Sequence, residues 1–131
     1  MTERFAPRLA GGVVRAPSSE LTLVEWGHPG GPEPPHWIAP LHVHHDDDEA
    51  WYVVEGALCV RLGDETLEVP AGGAVLAPRG TPHAYGNATE APARYVLVAT
   101  PRIFDLIEAL HSPGARDYAA IFRAHRSELL G

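Results

Sequence analysis

Lysine is missing from this 131-residue chain, in which all ten basic residues are arginines. Without an ε-amine the protein cannot form a Schiff base with a carbonyl substrate or with pyridoxal phosphate, so imine chemistry is excluded. Cysteine occurs once, at position 59, which rules out an internal disulfide, a thiolate zinc cluster and a C-x-x-C redox pair. Cys59 sits in the apolar run ALCV and reads as a buried structural thiol. Basic charge is sparse: 17 acidic residues against 10 basic give a net charge of −7, with no basic stripe to neutralise phosphates, so nucleic acid is not an expected partner. No apolar run approaches the ~20 residues that span a bilayer, and no membrane partner is expected either. The amino-terminal stretch MTERFAPRLAGG has no apolar region behind its charges and does not read as a secretory signal, so a cytoplasmic location is the expectation.

Glycine and proline, by contrast, are plentiful, with thirteen of each. They separate short segments rich in Val, Leu, Tyr, Trp and Thr at roughly the eight- to twelve-residue spacing of a sandwich or barrel. Strands are expected near 20–26, 39–44, 49–55, 57–62, 65–69, 74–77, 82–86 and 93–99, with a tight turn at Gly63-Asp64. The stretch 27–35 is too rich in Pro and Gly for regular structure and reads as a surface loop beside the site mouth. After Thr100-Pro101 the apolar period changes from two to about 3.6, and Ile103, Leu106, Ile107 and Leu110 form one stripe of a helix capped by Thr100. A break at Ser112-Pro113-Gly114 precedes a second stripe of Tyr118, Ile121, Phe122, His125 and Leu129. These patterns predict an all-β sandwich or barrel over 1–100 with a helical extension over 101–131 as one domain. The apolar helical tail, together with the frequency of two-fold assemblies, predicts a homodimer.

The chemistry concentrates in LHVHHDDDEAWYVVEG. His42 and His44 are two residues apart, so on a strand both imidazoles leave the same face and can converge on one ion. Glu49, beyond the acidic run Asp46-Asp47-Asp48, and His83, about forty residues on, are candidates for further ligands, though parity argues only for the first two. His36, His45, His111 and His125 read as surface or hydrogen-bonded histidines, and the acidic run as a solvated turn. Three imidazoles and a carboxylate suit Fe, Mn, Co, Ni, Cu or Zn and leave coordination positions open for substrate, water or dioxygen.

Two patterns carry a family resemblance. His42, His44, Glu49 and Gly56 satisfy G-x5-H-x-H-x3,4-E-x6-G except for its opening glycine, where His36 stands. Gly72, Pro78, Gly80, His83 and Asn87 satisfy G-x5-P-x-G-x2-H-x3-N in full. At average residue usage, five such matches arise by chance on the order of once in a million starting points. Asn87 is the only asparagine in the chain, and it falls in register. The chain resembles the single-domain cupins. The resemblance implies a jelly-roll (double-stranded β-helix) barrel holding one divalent transition metal ion on His42, His44, Glu49 and His83.

Cupins host many reactions, so the fold does not name one. The resemblance to quercetinase-like dioxygenases and to small polyketide cyclases implies a metal-dependent enzyme for an aromatic or enolic hydroxy substrate. The alternative is a non-catalytic cupin that binds or senses a small ligand through the same metal. For the enzyme, Glu49 is expected to be the base as well as a ligand. Tyr85, in parity with His83, is expected to orient substrate. Trp51 and Val53 share the parity of Glu49 and should face inward, opposite Tyr52 and Val54. Trp26 and Trp37 should cover the entrance, Arg79 should be exposed, and Phe104, Ile107 and Phe122 read as packing residues.

Overall fold

A computed structural model describes residues 5–131. Among these, the elements are β1 (Val13–Arg15), β2 (Thr22–His28), β3 (His36–His44), β4 (Glu49–Glu55), β5 (Ala57–Leu62), β6 (Glu65–Pro70), β7 (Ala74–Ala77), β8 (His83–Asn87), β9 (Ala93–Ala99), α1 (Pro101–Leu110), α2 (Tyr118–Ala124) and β10 (Ser127–Leu129). They build two five-stranded antiparallel sheets, ordered β1-β2-β9-β4-β7 and β10-β3-β8-β5-β6. The sheets face each other as the expected jelly roll, with the two helices at the carboxyl end.

The period-two pattern decides what lies between the sheets. On β4, Trp51 and Val53 are buried, while Tyr52 and Val54 are exposed, as their parity requires. Val24, Tyr95 and Leu97 of the first sheet join them, and Leu58, Val60 and Tyr85 complete the core from the second. Cys59 is buried. At the β5–β6 hairpin, Gly63 adopts φ +57°, as the tight turn requires.

Close approach of the backbone fixes one further glycine. A Cβ at Gly86 of β8 would lie 2.2 Å from the carbonyl oxygen of His36 and 2.7 Å from Cα of Trp37 on β3. Both are backbone atoms, so no side-chain rotation relieves the clash. Gly86→Ala should therefore push β3 from β8 at a cost near the top of the ~1–3 kcal/mol typical of overpacking. Thermal unfolding checks this; a midpoint unchanged within a degree contradicts the packing described.

α1 begins as its sequence dictates: Thr100 Oγ accepts from the Ile103 amide at 3.3 Å, and Pro101 occupies the first helical position. The tail then departs from expectation. The second helix stops at Ala124, and Ser127–Leu129 forms β10, an edge strand antiparallel to β3. Arg126, at φ +55°, makes the reversal between them. The stripe ending in His125 and Leu129 thus runs past the helix into a strand, and residues 101–131 are not helical throughout. β1 also lay outside the expectation, and β3 begins at His36 rather than at 39. No helix among the described residues is long and apolar enough to cross a membrane.

Candidate metal centre

The two sheets converge at one end of the barrel. β3 of the second sheet carries His42 and His44, and His42 lies directly across from His83, the first residue of β8. Glu49, the first residue of β4, enters from the first sheet. All four are buried, and one ligand atom from each lies within 4.8 Å of every other. Donors at 2.0–2.2 Å from a shared ion stand roughly 3 to 4.4 Å apart, so the cluster is close to that geometry.

The loops that bring these residues together are tied to each other. Gly80 N–H donates to the His44 carbonyl at 2.8 Å, which docks the Pro78–Pro82 turn on the end of β3. The acidic run is not simply a solvated turn. Asp46 pairs with Arg126 at 2.7 Å, Asp47 with Arg102 at 3.1 Å and Asp48 with Arg79 at 3.1 Å. Three arginines from three segments thus pin the turn that delivers Glu49. Arg79 is exposed as expected, yet its backbone N–H and guanidinium both bind Asp48. Asn87 is no ligand: its amide donates to the Ala91 carbonyl at 2.9 Å and its oxygen accepts from the Thr89 amide at 2.9 Å, closing the 88–92 loop.

The hydrogen bonds on the outer side of the imidazoles orient the rings toward one point. His42 Nδ1 lies 2.6 Å from the Pro40 carbonyl and His83 Nδ1 lies 3.0 Å from that of Thr81. A carbonyl only accepts, so these Nδ1 atoms carry a proton and Nε2 of each ring faces the centre. His44 Nδ1 is held at 2.7 Å by Ser127 Oγ. Glu49 Oε1 then stands 3.1 Å from His44 Nε2 and 3.0 Å from His83 Nε2. Three imidazole nitrogens and a carboxylate oxygen gathered at that range form a donor set that suits a divalent metal ion.

Residues 29–99, more than half of the chain, match the family model described as a cupin domain. The chain belongs to the cupin family. It is 31% identical over 61 residues to the uncharacterized protein MJ1618 of Methanocaldococcus jannaschii, a match covering 47% of this cupin and 49% of that protein. The chain thus spans about half the length of the curated relative it matches. Among solved structures it is similar to TT1209 from Thermus thermophilus, with 30% identity, a TM-score of 0.55 and coverage of 64% of this chain and 76% of that one. KdgF from Halomonas sp. gives 29%, 0.55, 66% and 75% in the same order. A sugar phosphate isomerase from Silicibacter pomeroyi gives 26%, 0.54, 63% and 51%.

Beside the histidine and glutamate cluster of this cupin lies a cavity of about 540 Å³, with His42, His44 and Glu49 in its wall. Its other lining includes Trp26, Ile38, Tyr85, Tyr95, Phe104 and Phe122. Phe104, Ile107 and Phe122, read from the sequence as packing alone, line this space, because α1 and α2 fold over the barrel mouth. Phe122 lies beside His42 with ring centroids 5.4 Å apart and the planes tilted by 59°. Trp26 lines the cavity as expected, whereas Trp37 is 50% exposed and lies outside it. Tyr85 faces inward, and its hydroxyl lies 3.2 Å from that of Tyr95 on the opposite sheet, a residue the sequence did not single out. Burial and the neighbouring Tyr95 raise the Tyr85 pKa well above its usual value, so it remains a phenol at neutral pH.

Burial, reinforced by the charge of His83, lowers the pKa of His42 from 6.5 to about 4. Burial alone would raise Glu49, but its contacts with His44 and His83 prevail and hold it at about 2. Both folded values lie below the unfolded ones, so the unfolded chain takes up protons first as pH falls. The metal-free protein should lose stability between pH 6.5 and 4 through His42, by about 3 kcal/mol, and further between pH 4.5 and 2 through Glu49. Urea midpoints of metal-free protein at pH 7.5 and 4.5 test this. Equal midpoints contradict a buried neutral His42.

Proposed function

We propose that this cupin is a metal-dependent enzyme acting on a small aromatic or enolic hydroxy substrate, most simply as a dioxygenase or, with the same site, a related cyclase. The observation that carries the reading is the union of a three-histidine, one-carboxylate cluster with an apolar and aromatic cavity whose described lining contains no arginine. Such a wall favours a planar, uncharged body and gives a phosphate or a sugar acid no guanidinium to meet. One divalent transition metal ion per chain, held by His42, His44, Glu49 and His83, would supply Lewis acidity toward a substrate oxygen and, if redox-active, electrons to dioxygen.

The chain's own residues do the rest. Glu49 is ionised at neutral pH and buried, so it can accept a proton. Its low pKa makes it a weak base, matched to an acidic hydroxyl such as a phenol or enol rather than to a sugar alcohol. Tyr85, kept protonated beside Tyr95, can donate a hydrogen bond to a substrate oxygen. Phe104, Phe122 and Trp26 hold the ring system and exclude water at the mouth.

The test is metal analysis of the purified protein, followed by anaerobic titration with flavonols and polyketide phenols and then admission of oxygen. One equivalent of metal, spectral change on anaerobic binding and oxygen uptake support the oxygenase. Metal and ligand binding without turnover under any metal supports a sensing cupin instead.

The homodimer is also proposed, on a different surface from the one the sequence suggested. The tail helices cover the cavity, whereas the outer face of the first sheet carries an apolar row of Leu23, Val98, Ala50 and Leu76 across four adjacent strands. Leu76 is 57% exposed, and Tyr52 in the next row is 48% exposed. A second copy related by a two-fold axis would meet the same row with itself and close the assembly. Leu76→Glu should halve the mass measured by light scattering at micromolar concentration. A wild type that is already monomeric contradicts the proposal.

A further inference from the structure

The residue nearest His44 on its outer side comes from the far end of the chain. Ser127 opens β10, pairs with His44 in the β10–β3 register and is buried. Its Oγ lies 2.7 Å from His44 Nδ1 and 3.1 Å from the His125 carbonyl. The carbonyl can only accept, so the hydroxyl proton goes to His125 and the oxygen is free to accept from His44. Among the three site histidines, His42 and His83 place Nδ1 against a backbone carbonyl two residues away, whereas His44 relies on a side chain 83 residues distant.

We propose that Ser127 is a positioning residue of the metal centre: through the relay His44 Nδ1–H to Ser127 Oγ to His125 carbonyl, it fixes the ring of His44 with its Nε2 lone pair facing the ion. The inference rests on the metal-centre reading above. It makes the site depend on the carboxyl-terminal strand. β10 is held on β3 by His45 N–H to the Arg126 carbonyl at 3.0 Å and by Leu130 N–H to the Leu41 carbonyl at 2.9 Å, and Arg126 is clamped to Asp46. The segment that orients His44 therefore also bonds to the acidic turn preceding Glu49.

The experiment compares Ser127→Thr with Ser127→Val, two side chains of the same shape that differ in the hydroxyl. A steric penalty falls on both equally. Zinc affinity is measured by chelator competition, and the imidazole N–H protons of the zinc-loaded protein are followed by NMR. Ser127→Thr should keep affinity within a few-fold of wild type and retain three slowly exchanging imidazole N–H signals. Ser127→Val should lose about 10- to 100-fold in affinity and lose the His44 signal alone, with those of His42 and His83 preserved as evidence of an intact fold. Equal zinc affinity in the two variants, or a His44 signal that survives in Ser127→Val, overturns the role of Ser127 while leaving the metal centre standing. A wild-type protein that takes up no zinc overturns the metal centre itself, and this role with it.

Discussion

His83→Ala should leave a folded barrel that neither retains its metal through purification nor turns over substrate. His83 is buried at the point where β8 meets β3, and its Nε2 is one of the two nitrogens within 3.1 Å of Glu49. Removing the ring takes away one of four donors outright. The loss in affinity should exceed the ~100-fold that marks the upper range for residues supporting a ligand from outside the coordination sphere. The truncation also leaves a void against Trp51, whose ring centroid lies 5.5 Å from that of His83. A stability loss in the ~2–5 kcal/mol range of large-to-small core changes should therefore accompany it. Metal analysis, circular dichroism and activity on the same preparation separate these effects. Full metal content in a folded His83→Ala protein removes this histidine from the ligand set.

Glu49→Gln has a second large effect with a different signature. Glutamine keeps the volume and burial of the side chain but removes the negative charge that gathers the imidazoles. As a base lost from the reacting site, it should lower turnover by ~10²- to 10⁴-fold. As a ligand exchanged for a neutral one, it should also weaken metal binding. The two losses are distinguished by assaying at saturating metal, where a ligand-only role predicts recovered activity and a proton-accepting role predicts none. Acid stability gives an independent reading. Glu49 contributes to the folded state above pH 4.5, and this contribution disappears as pH falls toward 2. In the glutamine variant the steepening of instability over that window should vanish, while the loss between pH 6.5 and 4 assigned to His42 persists.

Much of this was legible in the residues, and the reasons differ by element. The expected bounds of β4, β5, β7 and β9 coincide with those observed, because β4, β7 and β9 alternate between clear turn signals and β5 is a short apolar run bounded by Gly56 and Gly63. The four residues of the candidate metal centre were readable as a cluster because His42 and His44 share a strand face, and because two spaced patterns place Glu49 and His83 in register with them. The misses lie where a local pattern pointed elsewhere. The 3.6-residue stripe from Tyr118 to Leu129 continued past the helix end, and Arg126 offers no sign in its identity that it adopts φ +55°. Consequently β10 was invisible, and with it Ser127, whose contact with His44 spans 83 positions. The arginine partners of Asp46, Asp47 and Asp48 were hidden for the same reason: they come from distant segments. Phe104 and Phe122 were correctly apolar, but only the fold of the tail over the barrel mouth makes them cavity wall.

The most direct test of the central claim is anomalous diffraction from crystals of the protein loaded with cobalt or zinc, collected on both sides of the metal's absorption edge. A single strong peak per chain is predicted, about 2.0–2.2 Å from Nε2 of His42, His44 and His83 and from a carboxylate oxygen of Glu49. A map with no peak at that point, or with the ion seated on other residues, contradicts the account.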